Sequence, residues 1–128
     1  MTTWNLEGTR SHLLLCNGSS CMRKGGEEVT LAVRDEISRL ELDQQIHTTR
    51  TRCNGRCQDA CVVIAYPEGT WYRVDSPEMG RQIVQDIQGH SLESNKIYEF
   101  VNGEMMPNQA ASAPVGISKK KENSVINE

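Results

Sequence analysis

Residues 61–74, CVVIAYPEGTWYRV, decide how this chain folds. Two runs rich in β-branched and aromatic residues, 61–66 and 70–74, flank Pro67-Glu68-Gly69, which is a tight-turn signal. The stretch therefore predicts an antiparallel hairpin. The elements on either side of this hairpin determine the fold class.

Two strands and a helix are predicted before the hairpin. Residues 11–16 (SHLLLC) form a short apolar run, and residues 46–52 (IHTTRTR) alternate and are rich in β-branched residues. Between them, from Glu27 to about Leu42, apolar residues recur at helical spacing: Val29, Val33, Ile37 and Leu40. A strand–helix–strand unit implies a right-handed crossover between parallel strands.

A second helix is predicted after the hairpin. Ser76 suits an N-cap, Pro77 the first helical position, and Gly89 the end of the helix. Its inner face consists of Met79, Ile83, Val84 and Ile87. The order strand, helix, strand, strand, strand, helix predicts an α/β protein with a mixed four-stranded sheet and flanking helices.

The chain has 128 residues and a formal charge of −3, which favours one domain. We assign residues 1–10 to an N-terminal extension and residues 11–106 to this domain, with 94–106 docked on it as an extended arm. Residues 107–128 are small, polar and unpatterned, and are predicted to form a flexible tail.

The composition also indicates where the protein works. No run of eighteen apolar residues occurs, and the start, MTTWNLEGTR, lacks the pattern of a signal peptide, so we expect a cytoplasmic protein with no membrane insertion. In a reducing cytosol, clustered cysteines more often bind metals or carry redox chemistry than form structural disulfides. The acidic balance argues against nucleic acid as the main partner.

The five cysteines are unevenly distributed: Cys16, Cys21, Cys53, Cys57 and Cys61. Cys16 and Cys53 are placed at the carboxyl ends of the two predicted parallel strands, with Cys21 and Cys57 in the loops that follow. Because the carboxyl ends of parallel strands lie at the same edge of a sheet, the two loops are expected to meet. Four thiolates brought together in this way can hold zinc or an iron–sulfur cluster.

The spacing favours a two-iron cluster. Structural zinc sites prefer C-x2-C pairs, whereas the pairs here are C-x4-C and C-x3-C, and a two-iron cluster divides its ligands between two metal atoms. No C-x-x-C dithiol is present for thioredoxin-type catalysis. His12, His47 and His90 lie outside the cysteine loops, which argues against a Rieske-type centre.

Basic residues surround these cysteines: Arg23, Lys24, Arg50, Arg52 and Arg56. Positive charge and backbone N–H donors stabilise the more negative, reduced form of a cluster and raise its potential. Arg50 and Lys24 are equally well explained as solvated residues, whereas Arg56 lies between two cysteines of one pair.

The segments LLLCNGSSCMRKGG (13–26) and TRTRCNGRCQDACVVIAYPEGTWYRV (49–74) resemble the thioredoxin-like [2Fe–2S] ferredoxins. The resemblance covers about residues 11–100 and implies a thioredoxin-like fold and a homodimer. It also implies one [2Fe–2S] cluster per chain, with Cys16, Cys21, Cys53 and Cys57 as ligands. The chain departs from the family pattern at Cys61, which we interpret as a small buried residue at the start of a strand.

The resemblance implies a one-electron carrier that serves redox partner proteins and is not an enzyme. Length and tail are compatible with the CbiW group, ferredoxins encoded among genes of anaerobic cobalamin biosynthesis. Two alternatives stay open: a zinc-stabilised interaction module, and a thiol sensor based on Cys61.

Overall fold

The fold is built on one mixed β-sheet. A computed structural model describes residues 2–87, 95–108, 111 and 114–119. The strands are β1 (Ser11–Cys16), β2 (Ile46–Thr51), β3 (Val62–Tyr66), β4 (Thr70–Arg73), β5 (Lys96–Val101) and β6 (Glu104–Pro107). They lie side by side in the order β2-β1-β3-β4-β5-β6.

The first two strands are parallel, as the sequence predicted. Their register pairs Ser11 with Ile46 at one end and Cys16 with Thr51 at the other. Both strands therefore end at the same edge of the sheet. Two helices connect them, the short α1 (Ser19–Arg23) and the longer α2 (Gly26–Arg39).

The predicted hairpin forms the centre of the sheet. Strand β3 pairs antiparallel with both β1 and β4, and four of its five residues are buried. The buried face of α2 and the third helix, α3 (Pro77–Gln85), pack with this hairpin and with β1 in a single core. Ser76 caps α3 as predicted, since its Oγ accepts a hydrogen bond of 3.2 Å from the Met79 N–H.

The fold class is confirmed, but the described part of the chain forms a sheet of six strands rather than the four predicted. Residues 94–106 were interpreted as an extended arm, whereas the structure folds 96–107 into the hairpin β5–β6. Asn102 and Gly103 at its turn both have positive φ, 53° and 84°. An Asn-Gly pair of this kind is a strong hairpin signal, so the sequence did contain the information.

Helices α2 and α3 are held together by a buried carboxylate. Glu36 on α2 is fully buried and accepts hydrogen bonds from Arg39, from Arg81 at 3.3 Å and from Gln85 at 2.8 Å. Arg81 also pairs with Asp35 at 2.7 Å. These bonds hold the Glu36 pKa at about 2, with the Arg39 guanidinium the largest cause.

The predicted tail begins at Pro107, which is the last residue of β6. Asn108 donates a backbone hydrogen bond of 2.9 Å to Ile97, and Ala111 is buried. These first residues of the segment therefore contact the domain. The predicted helix end at Gly89 lies outside the described residues.

Candidate metal centre

The first cysteine loop is part of the core. Cys16 ends β1 and Cys21 projects from α1, and only 5% and 3% of these residues are exposed. The Asn17 amide, next to Cys16, donates to Thr30 Oγ1 on α2 at 3.2 Å. The loop is therefore attached to the longest helix of the fold.

The second cysteine loop lies at the surface. Cys53 and Cys57 are both exposed, and their sulfur atoms are 3.5 Å apart. The Gly55 N–H donates to Cys53 Sγ at 3.3 Å, while Asn54 donates to Thr51 Oγ1 at 2.7 Å. Gly55 has φ +86°, a conformation that glycine adopts without strain and that folds the loop tightly around Cys53.

The two loops touch at Gly18. A Cβ atom at Gly18 would lie 2.8 Å from Cys53 Cα, closer than side chains tolerate. Behind this contact, Cys16, Cys21, Cys53 and Cys57 line one small cavity together with Asn54 and Arg56. The structure thus brings together the four cysteines that the strand topology predicted to converge.

The two thiols of the first loop differ in acidity. Burial raises the pKa of Cys16, but hydrogen bonds from the Gly18 N–H, the Cys21 thiol and Asn54 outweigh it and leave this pKa below its ordinary value. Burial, with the adjacent Cys16, raises the pKa of Cys21 to about 12. Cys16 is therefore the more readily deprotonated member of this pair.

The thiols are arranged as two pairs. Within the described part of the chain, no group of three or more His, Cys, Asp or Glu side chains is placed to hold a single metal ion. Cys53 lies against Cys57, and Cys16 is hydrogen-bonded to Cys21. Four thiols that share one cavity as two pairs fit a cluster in which each of two irons takes two thiolates.

Cys61 is a core residue, as predicted. Only 2% of it is exposed, and its thiol donates to the carbonyls of Cys21 and Lys24, each at 3.4 Å. Burial raises its pKa. A buried, protonated thiol reacts slowly with oxidants, so the structure does not favour a sensor role for this cysteine.

The basic residues near the cysteines differ in whether a carboxylate neutralises their charge. Arg50 donates to Asn17 Oδ1 at 2.9 Å and forms an ion pair with Glu27. Arg56 pairs with Asp59, whereas Arg52 is exposed beside Cys53. Two of these positive charges are therefore compensated by carboxylates that the sequence analysis did not consider.

The histidines are remote from this site. The rings of His12 and His47 lie 5.0 Å apart, near the amino ends of β1 and β2, and His12 is hydrogen-bonded to Thr49 at 2.7 Å. The cysteines follow the opposite ends of these strands. His90 lies outside the described residues.

Fold and site together define an α/β protein that gathers four cysteine thiols in one cavity at an edge of its sheet. No protein-family profile matches the chain. A protein of Priestia megaterium with the provisional name 2Fe-2S ferredoxin is 48% identical over 125 residues, which is 96% of this chain and 98% of that protein. A 2Fe-2S ferredoxin of Clostridium pasteurianum is 28% identical over 71 residues, 49% of this chain and 70% of that protein.

Solved structures agree with these relatives. The structure of a thioredoxin-like [2Fe–2S] ferredoxin from Aquifex aeolicus superposes with a TM-score of 0.65 at 26% identity, covering 77% of this chain and 99% of that one. The chain therefore belongs to the thioredoxin-like [2Fe–2S] ferredoxin family, and a [2Fe–2S] cluster is the cofactor that this membership implies. No helix among the described residues is long and apolar enough to cross a membrane.

Proposed function

We propose that this protein is a one-electron carrier, not an enzyme, that holds one [2Fe–2S] cluster through Cys16, Cys21, Cys53 and Cys57. The observation that carries the proposal is the single cavity lined by these four thiols in two pairs. When bound, the cluster supplies reversible one-electron redox chemistry, for which plant-type clusters with four cysteine ligands have potentials of about −400 mV.

The protein's own residues set the stability and potential of such a site. The buried pair, Cys16 and Cys21, attaches the site to the core and excludes water from one side. The Gly55 N–H donates to Cys53 Sγ, and hydrogen bonds to ligand sulfur stabilise the reduced form. The exposed pair, Cys53 and Cys57, brings the other side to the surface.

The difference in exposure between the two cysteine pairs indicates from which side a redox partner approaches the site. A redox partner reaches the site most closely over the Cys53–Cys57 loop, because Cys16 and Cys21 are buried at the end of β1 and on α1. We propose transient docking at this loop, with Arg52 as an exposed positive charge that attracts acidic partners.

Three further assignments rest on the resemblance to the family and to the CbiW group. They are a homodimer, a cytoplasmic location, and a role in cobalamin biosynthesis. The dimer is tested by light scattering of the purified protein. The pathway is tested by deleting the gene and comparing anaerobic growth with and without added cobalamin.

The first experiment is spectroscopy of anaerobically purified protein before and after dithionite. We expect a red-brown protein with two irons per chain that bleaches on reduction and gains a half-integer-spin EPR signal. A colourless protein with one zinc per chain would overturn the proposal in favour of the zinc-stabilised module. A colourless, metal-free protein calls for reconstitution with iron and sulfide, and failure to take up iron then also contradicts the proposal.

A further inference from the structure

A buried carboxylate lies beside the second cysteine loop. Asp59 is only 1% exposed and closes the short 3-10 turn that begins at Cys57. Its backbone N–H donates to the Arg56 carbonyl at 2.9 Å. A buried carboxylate is costly unless it is paired, so the partners of Asp59 indicate its role.

Asp59 holds two arginines at once. Arg56 Nε donates to Asp59 Oδ2 at 2.8 Å, and Arg56 Nη2 lies 2.7 Å from the same oxygen. Arg73 on β4 donates to Asp59 Oδ1 at 3.2 Å. The carboxylate therefore connects the cysteine loop to a strand at the centre of the sheet.

The same arginines bind the chain that follows β6. Arg56 Nη2 donates to the Pro114 carbonyl at 2.7 Å, and Arg73 Nη2 donates to the Ala111 carbonyl at 2.9 Å. Residues Pro114–Ile117 then lie along the loop and line a groove with Gly55, Cys57 and Gln58. Arg56 also stacks on Tyr98 of β5, with its Cζ 5.0 Å from the ring centre.

Directly or through Arg56, the Asp59 side chain thus connects three parts of the chain: the loop between Cys53 and Cys57, strand β4, and residues 114–117. We propose that Asp59 is a positioning residue of the cysteine site. It fixes Arg56, and with it the loop between Cys53 and Cys57, holds residues 114–117 against that loop, and compensates the Arg56 charge. This inference rests on the proposed function, since its electrostatic half concerns the potential of a cluster held by these cysteines.

The proposal has a positioning half and an electrostatic half, and each has its own consequence. Without the carboxylate, the Arg56 side chain keeps only the Pro114 carbonyl and the Tyr98 ring as partners, so it leaves its place and the loop opens more often. The guanidinium charge is also no longer neutralised, and an uncompensated positive charge beside a cluster favours its reduced form. Loss of Asp59 is therefore expected to loosen the loop and to raise the reduction potential.

Limited trypsin digestion of the full chain measures the first consequence. Trypsin cleaves after Arg56 only when this side chain leaves Asp59 to enter the protease pocket, whereas Arg52 in the same loop is already exposed. The ratio of cleavage after residue 56 to cleavage after residue 52, normalised to the unfolded chain, reports how often Arg56 is free. Cleavage of a transiently open state tracks the population of that state.

We expect Asp59→Asn to raise this ratio at least about tenfold, since it breaks a buried ion pair. Asp75→Asn, which removes an exposed carboxylate close in sequence to β4, is the matched control and should leave the ratio unchanged. A ratio for Asp59→Asn within about twofold of the wild type, or an equal rise in the control, would overturn the proposal.

Arg56→Lys tests the proposal if Asp59→Asn fails to fold. It leaves Asp59 paired with Arg73 and keeps the positive charge, but it loses the forked contact. Trypsin also cleaves after lysine, so the normalised ratio should again rise.

The reduction potential separates positioning from a merely structural role. Asp59→Asn should shift the potential upward, whereas Arg56→Lys, in which both charges remain, should stay near the wild-type value. Equal potentials in the two variants would overturn the electrostatic half. Iron content of the same samples tests the proposed function independently, because the tryptic ratio can be read whether or not a cluster is bound.

Discussion

The two cysteine loops are built from similar turn-forming residues, yet their environments are opposite. Cys16 at the end of β1 and Cys21 on α1 are buried, whereas Cys53 and Cys57 lie at the surface on a loop with one short 3-10 turn. The first loop is held by packing, and the second by hydrogen bonds and by the Asp59 ion pairs. The buried cysteine pair therefore attaches the site to the core, and the exposed pair makes the site accessible from solvent.

The largest effect is expected when one proposed ligand is replaced in each of the two cysteine loops. Cys21→Ala and Cys57→Ala should each lower iron content at least about tenfold, because each removes a proposed thiolate ligand and leaves no donor in its place. Only Cys21→Ala should also destabilise the metal-free fold, by about 1–3 kcal/mol, since it leaves a cavity in the core. Metal analysis and urea unfolding of the metal-free chain measure the two effects.

Cys61→Ser is the matched control for these ligand variants. Its hydroxyl can donate to the same two carbonyls, so iron content should stay near that of the wild type. If Cys61→Ser lost the cluster while Cys57→Ala kept it, the ligand assignment on the second loop would be wrong.

The contact between the loops is tested by adding a single methyl group. Gly18→Ala places a Cβ atom against the Cys53 backbone and must push the loops apart, at a cost of about 1–3 kcal/mol and with loss of iron. In Gly55→Ala the added Cβ meets no atom within 4 Å, so only the positive φ opposes it, at about 1–2 kcal/mol. We expect Gly55→Ala to retain its iron. Equal iron content in the two variants would show that this contact does not hold the site together.

A buried carboxylate far from the loops serves as a contrast to Asp59. The depressed pKa of Glu36 means that its stabilising bonds are fully present above its ordinary value of 4.5 and are lost as pH falls towards about 2. Glu36→Gln should therefore lower the urea midpoint of the metal-free chain at neutral pH, and the difference should shrink on acidification. Glu78→Gln, at an exposed position on α3, should show no such difference. A constant difference at all pH values would contradict this account.

The smallest expected effect concerns access on the exposed side. Arg52→Gln should slow oxidation of the reduced protein by anionic ferricyanide about two- to threefold at low salt, because it removes a positive charge beside Cys53. Arg10→Gln, at the opposite end of β1, is the control. If the stopped-flow rates fell equally in both variants, electrons would leave the protein at a place other than the exposed Cys53–Cys57 loop.

Much of the fold could be predicted because its signals are local. The alternation of 46–52, the helical spacing of 27–42 and the Ser76-Pro77 helix start each involve neighbours along the chain, and each element is observed close to its predicted place. The prediction failed at β5 and β6, because the Asn102-Gly103 turn that joins them was overlooked.

The sequence by itself determined that two cysteine pairs follow two parallel strands, since spacing and strand polarity suffice to bring them to one edge of the sheet. It did not determine that Arg56 would be compensated. Arg56 pairs with Asp59 three residues away, but Asp59 is also bound by Arg73 of β4, and Arg56 donates to the Pro114 carbonyl. Residues 73 and 114 come from distant parts of the chain, and nothing in local spacing reports such partners. Tertiary structure alone decided which cysteine pair is buried and which is exposed, because burial depends on how helices and strands pack over each loop.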